Sequence, residues 1–142
     1  MTTLKVEIVT PEVALWTGEA SALTARSSEG EFTVLPQHAP TVGDIVPGVV
    51  RVATSSGELA FCVHGGYFQV GPGEEAGVTR ATVLAGVAEN IIDIDVVRAQ
   101  AAKELAEAQL ASLGEVDEAV RAVEEASLER AELRLRAVAA FK

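Results

Sequence analysis

Thr82-Val83-Leu84-Ala85-Gly86-Val87-Ala88-Glu89-Asn90-Ile91-Ile92-Asp93-Ile94-Asp95-Val96-Val97-Arg98-Ala99-Gln100-Ala101 carries the change that decides the architecture of this chain. Its left end sets β-branched and small residues around a glycine, as short strands and turns do. Its right end begins to repeat at helical spacing. Outward from it, all five prolines, 11 of the 12 glycines and every aromatic but Phe141 lie before residue 93. Beyond it come one glycine (Gly114), no proline, and a run dominated by Ala, Glu, Leu and Arg. Two domains are therefore predicted, residues 1–92 built of strands and residues 93–142 built of helices. A parallel α/β fold is excluded, because no helical pattern separates one strand from the next.

To the left, strands are predicted at turn-punctuated spacing. Leu4-Lys5-Val6-Glu7-Ile8-Val9 alternates apolar and polar residues and stops before Pro11. Val13 to Ala25 is extended around Gly18, with Leu15, Ala20, Ala22 and Leu23 as inward candidates, and Phe32 to Leu35 is a short strand ended by Pro36. Further strands are expected at Gly48–Thr54, Glu58–His64, Tyr67–Val70, Glu75–Arg80 and Thr82–Ala88, with Ser56-Gly57 as a tight turn. So many short antiparallel strands in this length give a sandwich or flattened barrel.

To the right, Val97, Ala101, Leu105 and Ala108 form one apolar stripe, with Asp95 placed to cap the helix that carries it. Ser112-Leu113-Gly114 ends that helix. A second helix puts Val116, Val120, Val123, Ser127, Ala131, Leu135 and Val138 on one face. Glu115, Asp117 and Glu118 crowd its first turn and Arg134 and Arg136 its last, as the helix dipole favours. The short break makes the pair an antiparallel hairpin. Its facing residues are mostly Ala and Val, which bury little surface at about 0.8 kcal/mol per CH2. A weakly anchored hairpin of this kind is a candidate moving part.

Composition bounds the function. The chain has 142 residues with 11 Lys or Arg against 21 Asp or Glu, a formal net charge of −10, which argues against a nucleic-acid binder. Apolar residues at 49% and charged residues at 23% fit a folded globular protein, and aromatics at only 4% require a core of Val, Leu, Ile and Ala. The single Cys62 allows neither an internal disulfide nor a Cys-rich zinc site. The opening Met1-Thr2-Thr3-Leu4-Lys5 lacks the basic-then-apolar pattern of a signal peptide, and no apolar run reaches membrane-spanning length. A soluble protein is expected.

Signals for catalysis are poor, and no catalytic residue or metal ligand is assigned. His38 and His64 are far apart in sequence, with no His/Asp/Glu cluster at metal-ligand spacing. His64 reads as a strand-end polar residue and Cys62, between Phe61 and Val63, as a buried inert thiol. Gly71-Pro72-Gly73-Glu74-Glu75-Ala76 imitates a dinucleotide-binding fingerprint, but its glutamates would repel a pyrophosphate and a strand follows it, so a hairpin turn is expected. The acid pairs Glu29/Glu31 and Glu74/Glu75 have nothing nearby to tune them.

One loop stands out. Ser27-Ser28-Glu29-Gly30-Glu31-Phe32 leads through Val34-Leu35 into Pro36-Gln37-His38-Ala39-Pro40, joining an acidic turn to a proline-stiffened loop. It reads equally as a contact surface or a plain connector. Here the sequence resembles the epsilon subunits of F-type ATP synthases. Gly30-Glu31-Phe32-Thr33-Val34-Leu35-Pro36-Gln37-His38-Ala39-Pro40 followed by Gly48-Val49-Val50-Arg51-Val52 is similar to that family's GxFxVLPxHAP…GxVxI signature. In order around it lie Val6–Glu12, like the family's opening strand, Gly65-Gly66-Tyr67-Phe68-Gln69-Val70, like GGFxxV, and Val83-Leu84-Ala85 with Ala88-Glu89, like VxVLAxxAE. Ile94-Asp95-Val96-Val97-Arg98-Ala99 resembles the I(L)DxxRA element that opens the first helix.

The resemblance implies a noncatalytic rotor subunit. Its partners would be the gamma subunit, the c-subunit ring and, transiently, the alpha and beta subunits. It would lie peripherally on the cytoplasmic face of the plasma membrane, couple rotation between ring and catalytic head, and inhibit ATP hydrolysis through the hairpin. Carried over by motif, Glu29, Gly30, Glu31 and Phe32 would face the c ring, and His38, Ala39 and Pro40 would face gamma. Arg130, Arg134 and Arg136 would form an inhibitory latch against an acidic segment of beta. Ordinary dipole complement explains those arginines equally well. No cofactor is required. The resemblance adds ATP as a regulatory ligand at Ile94, Asp95, Arg98 and Ala99, although the first helix has only Lys103 beyond Arg98 where ATP-binding members carry further arginines. Arg121 and Arg130 could contribute from the second helix, and Asp95 as a plain N-cap is the other reading. The competing function is a free-standing β-sandwich ligand-binding or regulatory protein whose helices serve as an oligomerisation arm.

Overall fold

The computed structural model describes residues 2–113 and 118–141. The chain divides into two compact units between Asn90 and Ile91, just upstream of the boundary drawn from composition. The first unit has ten strands: β1 (Thr3–Val9), β2 (Ala14–Ala20), β3 (Ala22–Ser27), β4 (Gly30–Val34), β5 (Thr41–Ile45), β6 (Gly48–Thr54), β7 (Gly57–Val63), β8 (Gly66–Pro72), β9 (Val78–Ala85) and β10 (Ala88–Asn90). They form two five-stranded sheets, ordered β2-β1-β9-β8-β5 and β10-β7-β6-β3-β4.

The alternation that marked β1 places Leu4, Val6 and Ile8 in the core, fully buried. Val50 and Val52 of β6, Val70 of β8 and Ala81 and Val83 of β9 meet them from both sheets, around Phe61 and Phe68. The core is thus aliphatic with two aromatic inserts, as the composition requires.

Four features differ from the sequence expectation. β5 carries no strand signal in the sequence, because Thr41-Val42-Gly43-Asp44-Ile45 contains two poor strand formers between Pro40 and Pro47. Its glycine has a specific cause: a Cβ there would lie 2.6 Å from the Phe68 ring. β9 is one strand from Val78, and the expected strand start at Glu75 is instead a turn in which Gly73 donates to Val78 O at 2.7 Å. This confirms the hairpin reading of Gly71–Ala76. β10 is a separate short strand on β7. Finally, β1 and β9 pair in parallel, with Ile8 opposite Val83, within sheets that are otherwise antiparallel.

The second unit opens with a 3-10 turn, Ile91–Asp93, and continues as α1 (Val96–Ser112) and α2 (Glu118–Phe141), a helical hairpin. Asp95 is the N-cap: its backbone is extended and Oδ1 accepts from Arg98 N at 3.1 Å. The expected apolar stripe of α1 is on the wrong face. Val97 is 79% and Leu105 60% exposed, and Ala101 and Ala108 are exposed too. Ala99 and Ala106 are buried instead, with Leu110 half-buried on the same face. Alanines occur all round α1, so apolar spacing alone does not select a side. In α2, Ala131 is buried as expected and Ser127, Leu135 and Val138 are half-buried, but Val120 and Val123 are exposed and Leu133 and Ala137 are buried. The helix continues through Ala139-Ala140 to Phe141, so Arg134 and Arg136 precede its last turn, and among the described residues the last turn carries no basic residue. Gly114, Glu115, Val116 and Asp117 lie outside the described residues. No helix among the described residues is long and apolar enough to cross a membrane.

Candidate functional site

The acidic turn is a two-residue hairpin. Ser27 and Gly30 are register partners, Ser28 and Glu29 form the tip, and Gly30 has φ 123°. The Ser27 hydroxyl donates to Gly30 O at 3.2 Å and accepts from Glu29 N at 3.1 Å. Asp44 of β5 braces the tip, accepting from Ser28 N and from Ser28 Oγ, each at 3.0 Å. Glu29 and Glu31 are exposed, and Arg51 lies 3.6 Å from Glu31. Phe32 faces the other way. Its ring lies 4.3 Å from that of Phe68, so it anchors the turn to the core rather than presenting itself outward.

The second loop is held differently. Gln37 adopts φ 71° and donates its N–H to Thr79 Oγ1 at 2.8 Å. His38 Nδ1 donates to Ala39 O at 2.8 Å, and the Thr41 hydroxyl to the same carbonyl at 2.9 Å. Ala39 and Pro40 are exposed and His38 is half-buried. β4 runs from the acidic turn to this loop, so the structure does not bring the two candidate sets together. It puts them at opposite ends of the sandwich, about 15 Å apart at the rise of a strand.

Between those ends, the outer face of the β5-β8-β9 edge exposes Val42, Tyr67 and Leu84. Tyr67 pairs with Leu84, and Val42 with Gln69 on the same strand as Tyr67, so the three are neighbours. Sequence reading missed this patch because β5 was not recognised. Further along the same sheet, Arg80 makes a two-oxygen contact with Glu7 at 2.9 and 3.0 Å. The Glu7 hydrogen bond and charge raise the Arg80 pKa above its usual value, so the guanidinium stays charged.

In the helical unit, Asp95 and Arg98 are exposed whereas Ile94 and Ala99 are buried, so only two of the four ATP-associated residues offer their side chains to a ligand. Arg136 lies 4.0 Å from Glu132 one turn back, Arg130 donates to Ser127 Oγ at 3.2 Å, and Arg134 is half-buried.

A third grouping was not legible in the sequence. β10 places Glu89 directly opposite Cys62, and His64 follows Cys62 by two residues. His64 Nε2 lies 3.2 Å from Glu89 Oε1 and 3.6 Å from Cys62 Sγ. The imidazole is 5% exposed, and its Nδ1 is buried without a hydrogen-bond partner, a cost of about 1–3 kcal/mol. His64 is thus more than the strand-end polar residue expected, while Cys62 is fully buried as expected.

Comparison with known proteins matches both units. Residues 3–91 match the family model "ATP synthase, Delta/Epsilon chain, beta-sandwich domain", and residues 93–139 match "ATP synthase, Delta/Epsilon chain, long alpha-helix domain". The chain belongs to the ATP synthase epsilon family. It is 41% identical over 140 residues to the ATP synthase epsilon chain of Thermobifida fusca, covering 96% of this chain and 93% of that one. Identity to the epsilon chain of Bordetella petrii is also 41%, over 100% of this chain and 94% of that one. Among solved structures, a chain of the Euglena gracilis mitochondrial ATP synthase (OSCP/F1/c-ring, cryo-EM) superposes with a TM-score of 0.73 at 27% identity, covering 93% of this chain and 79% of that one. A chain of the Tetrahymena thermophila central stalk and c-ring shares the fold, with a TM-score of 0.55 at 14% identity over 95% and 96% of the two chains. As an epsilon subunit the protein is a noncatalytic member of a rotary ATP synthase.

Proposed function

We propose that this epsilon subunit is the foot of the central stalk, coupling rotation between the c ring and the catalytic head while its helical hairpin restrains ATP hydrolysis. The observation that supports it best is the bipolar sandwich. A braced, exposed acidic turn, Glu29-Gly30-Glu31, stands at one end of β4, and the stiff His38-Ala39-Pro40 loop stands at the other. A rotor element between two partners needs two such faces on one rigid body. In this reading the acidic turn meets polar loops of the ring. The His38 loop, with the exposed Val42, Tyr67 and Leu84 on the outer face that leads from it towards the acidic turn, meets gamma. In this reading the subunit lies peripherally on the cytoplasmic face of the plasma membrane.

The hairpin reading is supported by small buried residues, Ala99, Ala106, Ala131 and Ala137, which give each helix few apolar atoms to lose on moving. The latch arginines Arg130, Arg134 and Arg136 would meet acidic groups of beta, an attraction that salt weakens. Truncation after Asp93 tests the inhibition: hydrolysis by the reconstituted head should rise while gamma binding persists. Unchanged hydrolysis removes the restraint and leaves the stalk role standing. Failure of the full chain to co-purify with gamma removes the stalk role itself.

ATP at the start of α1 would depend on Arg98, because Ile94 and Ala99 are buried and the Asp95 carboxylate caps the helix, adding negative charge where phosphate would sit. Saturable binding at millimolar ATP, lost in Arg98→Ala, would establish that regulation; a flat titration would discard it.

A further inference from the structure

We infer that Cys62, His64 and Glu89 form a binding site for a divalent transition-metal ion of the zinc class. The three donors are set by the ladder itself. Cys62 and His64 are two residues apart and therefore point to the same side of the chain, and Glu89 is the cross-strand partner of Cys62. Their ligand atoms, Sγ, Nε2 and a carboxylate oxygen, all lie within 4.8 Å of one another. Zinc bonds of about 2.3 Å to sulfur and about 2.0–2.2 Å to nitrogen and oxygen put neighbouring ligands about 3.3–3.6 Å apart in a tetrahedron. The observed 3.6 Å from Sγ to Nε2 falls in that range, and the 3.2 Å from Nε2 to Oε1 lies 0.1 Å below it.

The same geometry argues against a nucleophilic cysteine. Sγ and Oε1 both approach Nε2, so the imidazole cannot pass a proton from one nitrogen to the other between them, as a cysteine–histidine–acid relay requires. Cys62 is also fully buried, beyond reach of a substrate. A metal ion resolves the conflict, since all three groups can then donate lone pairs to one centre while the thiol proton leaves to solvent. One thiolate, one imidazole and one carboxylate form a borderline-soft set that suits zinc or cobalt rather than magnesium or calcium. The Glu89 side chain is 29% exposed, which gives the ion a way in and leaves water as the fourth ligand.

The buried, unpartnered Nδ1 of His64 bears on the strength of the site. A ligating histidine usually donates its other N–H to an acceptor, and lacking one, this site should bind about 10–100-fold more weakly than a fully buttressed one. Because Glu89 precedes Asn90, the last residue of the sandwich, a bound ion would clasp the three-residue β10 to β7.

The test is a Co²⁺ titration of the full chain, stripped with chelator. One equivalent should give a thiolate-to-cobalt charge-transfer band with the intense visible bands of tetrahedral cobalt, and Zn²⁺ should bleach both. Cys62→Ser should abolish the charge-transfer band, and Glu89→Gln, a substitution at a partly exposed site, should weaken binding roughly tenfold or more. Zn²⁺ should raise the melting temperature of the wild type and, at the same concentration, raise that of Glu89→Gln by less, a readout that does not depend on the cysteine variant folding. No charge-transfer band at one equivalent overturns the site. Binding unchanged in Glu89→Gln also overturns it and means an adventitious ion only, held by the acidic surface.

Discussion

The sandwich and the helical hairpin bury different things. The first unit fills its interior with Leu4, Ile8, Leu23, Phe61 and a set of valines, each locked by a two-residue alternation between paired strands. The second buries chiefly alanines, together with Ile91, Ile94 and Leu133, and leaves Val97, Leu105 and Val123 in solvent. A residue in the first unit loses a great deal by moving, and one in the second loses little. The physical expectation is a stiff body that keeps its two contact ends at fixed separation, and a pair of helices with low resistance to rearrangement. Substitutions chosen along that gradient can break the contrast or sharpen it.

The largest effect is expected at Phe61, the bulkiest fully buried side chain. Phe61→Ala should cost about 3–5 kcal/mol, read as a lower denaturation midpoint for the strand signal. Next comes Gly43→Ala, whose new Cβ would press on the Phe68 ring 2.6 Å away. That ring also supports Phe32, so the crowding should cost about 1–3 kcal/mol and loosen the acidic turn, which chemical shifts at Ser28 and Glu29 would report. If Gly43→Ala is silent, the turn is not braced through the core and the bipolar sandwich loses its rigidity.

What the sequence disclosed follows the same gradient. Signals confined to a few residues could be read directly. Asp95 caps Arg98 three residues on, the Ser27–Gly30 turn closes on itself, and the β1 alternation names its own buried face. Features that need a distant partner could not be read. The Glu7–Arg80 pair joins residues 73 apart, β5 exists because β8 lies beside it, and His64 meets Glu89 only because β10 folds back on β7. The helix face failed for another reason. With Ala at 99, 101, 106 and 108, α1 offers two alanine-bearing faces, and stripe counting favoured the one with Val97 and Leu105. The site residues taken from the resemblance follow suit: Glu29, Glu31, Ala39 and Pro40 are exposed and Gly30 and His38 half-buried, while Phe32, Ile94 and Ala99 point inward.

In the helical unit the effects should be smaller. Asp95→Ala removes one charge-assisted bond to Arg98 N and should cost about 1 kcal/mol, seen as faster amide exchange in the first turn of α1 with the sandwich unaffected. If ATP regulates the hairpin through Arg98, the same substitution removes a carboxylate from the phosphate's path, so ATP should bind no more weakly than before.

The smallest change in stability belongs to Leu105, and it is the most informative. Its side chain is 60% exposed, so Leu105→Ser gives up little buried area and should shift stability by no more than about 0.5 kcal/mol. A loss of 2 kcal/mol or more would mean that this face of α1 is interior and that the hairpin is anchored as firmly as the strands. The contrast between the two units would then fail, and with it the physical basis for a hairpin that changes position. A silent result leaves an apolar stripe, Val97, Ala101, Leu105 and Ala108, that the isolated chain does not cover. Hydrolysis by the reconstituted head then reads its use: if the stripe docks in the restrained state, Leu105→Ser should raise hydrolysis with no matching loss of stability.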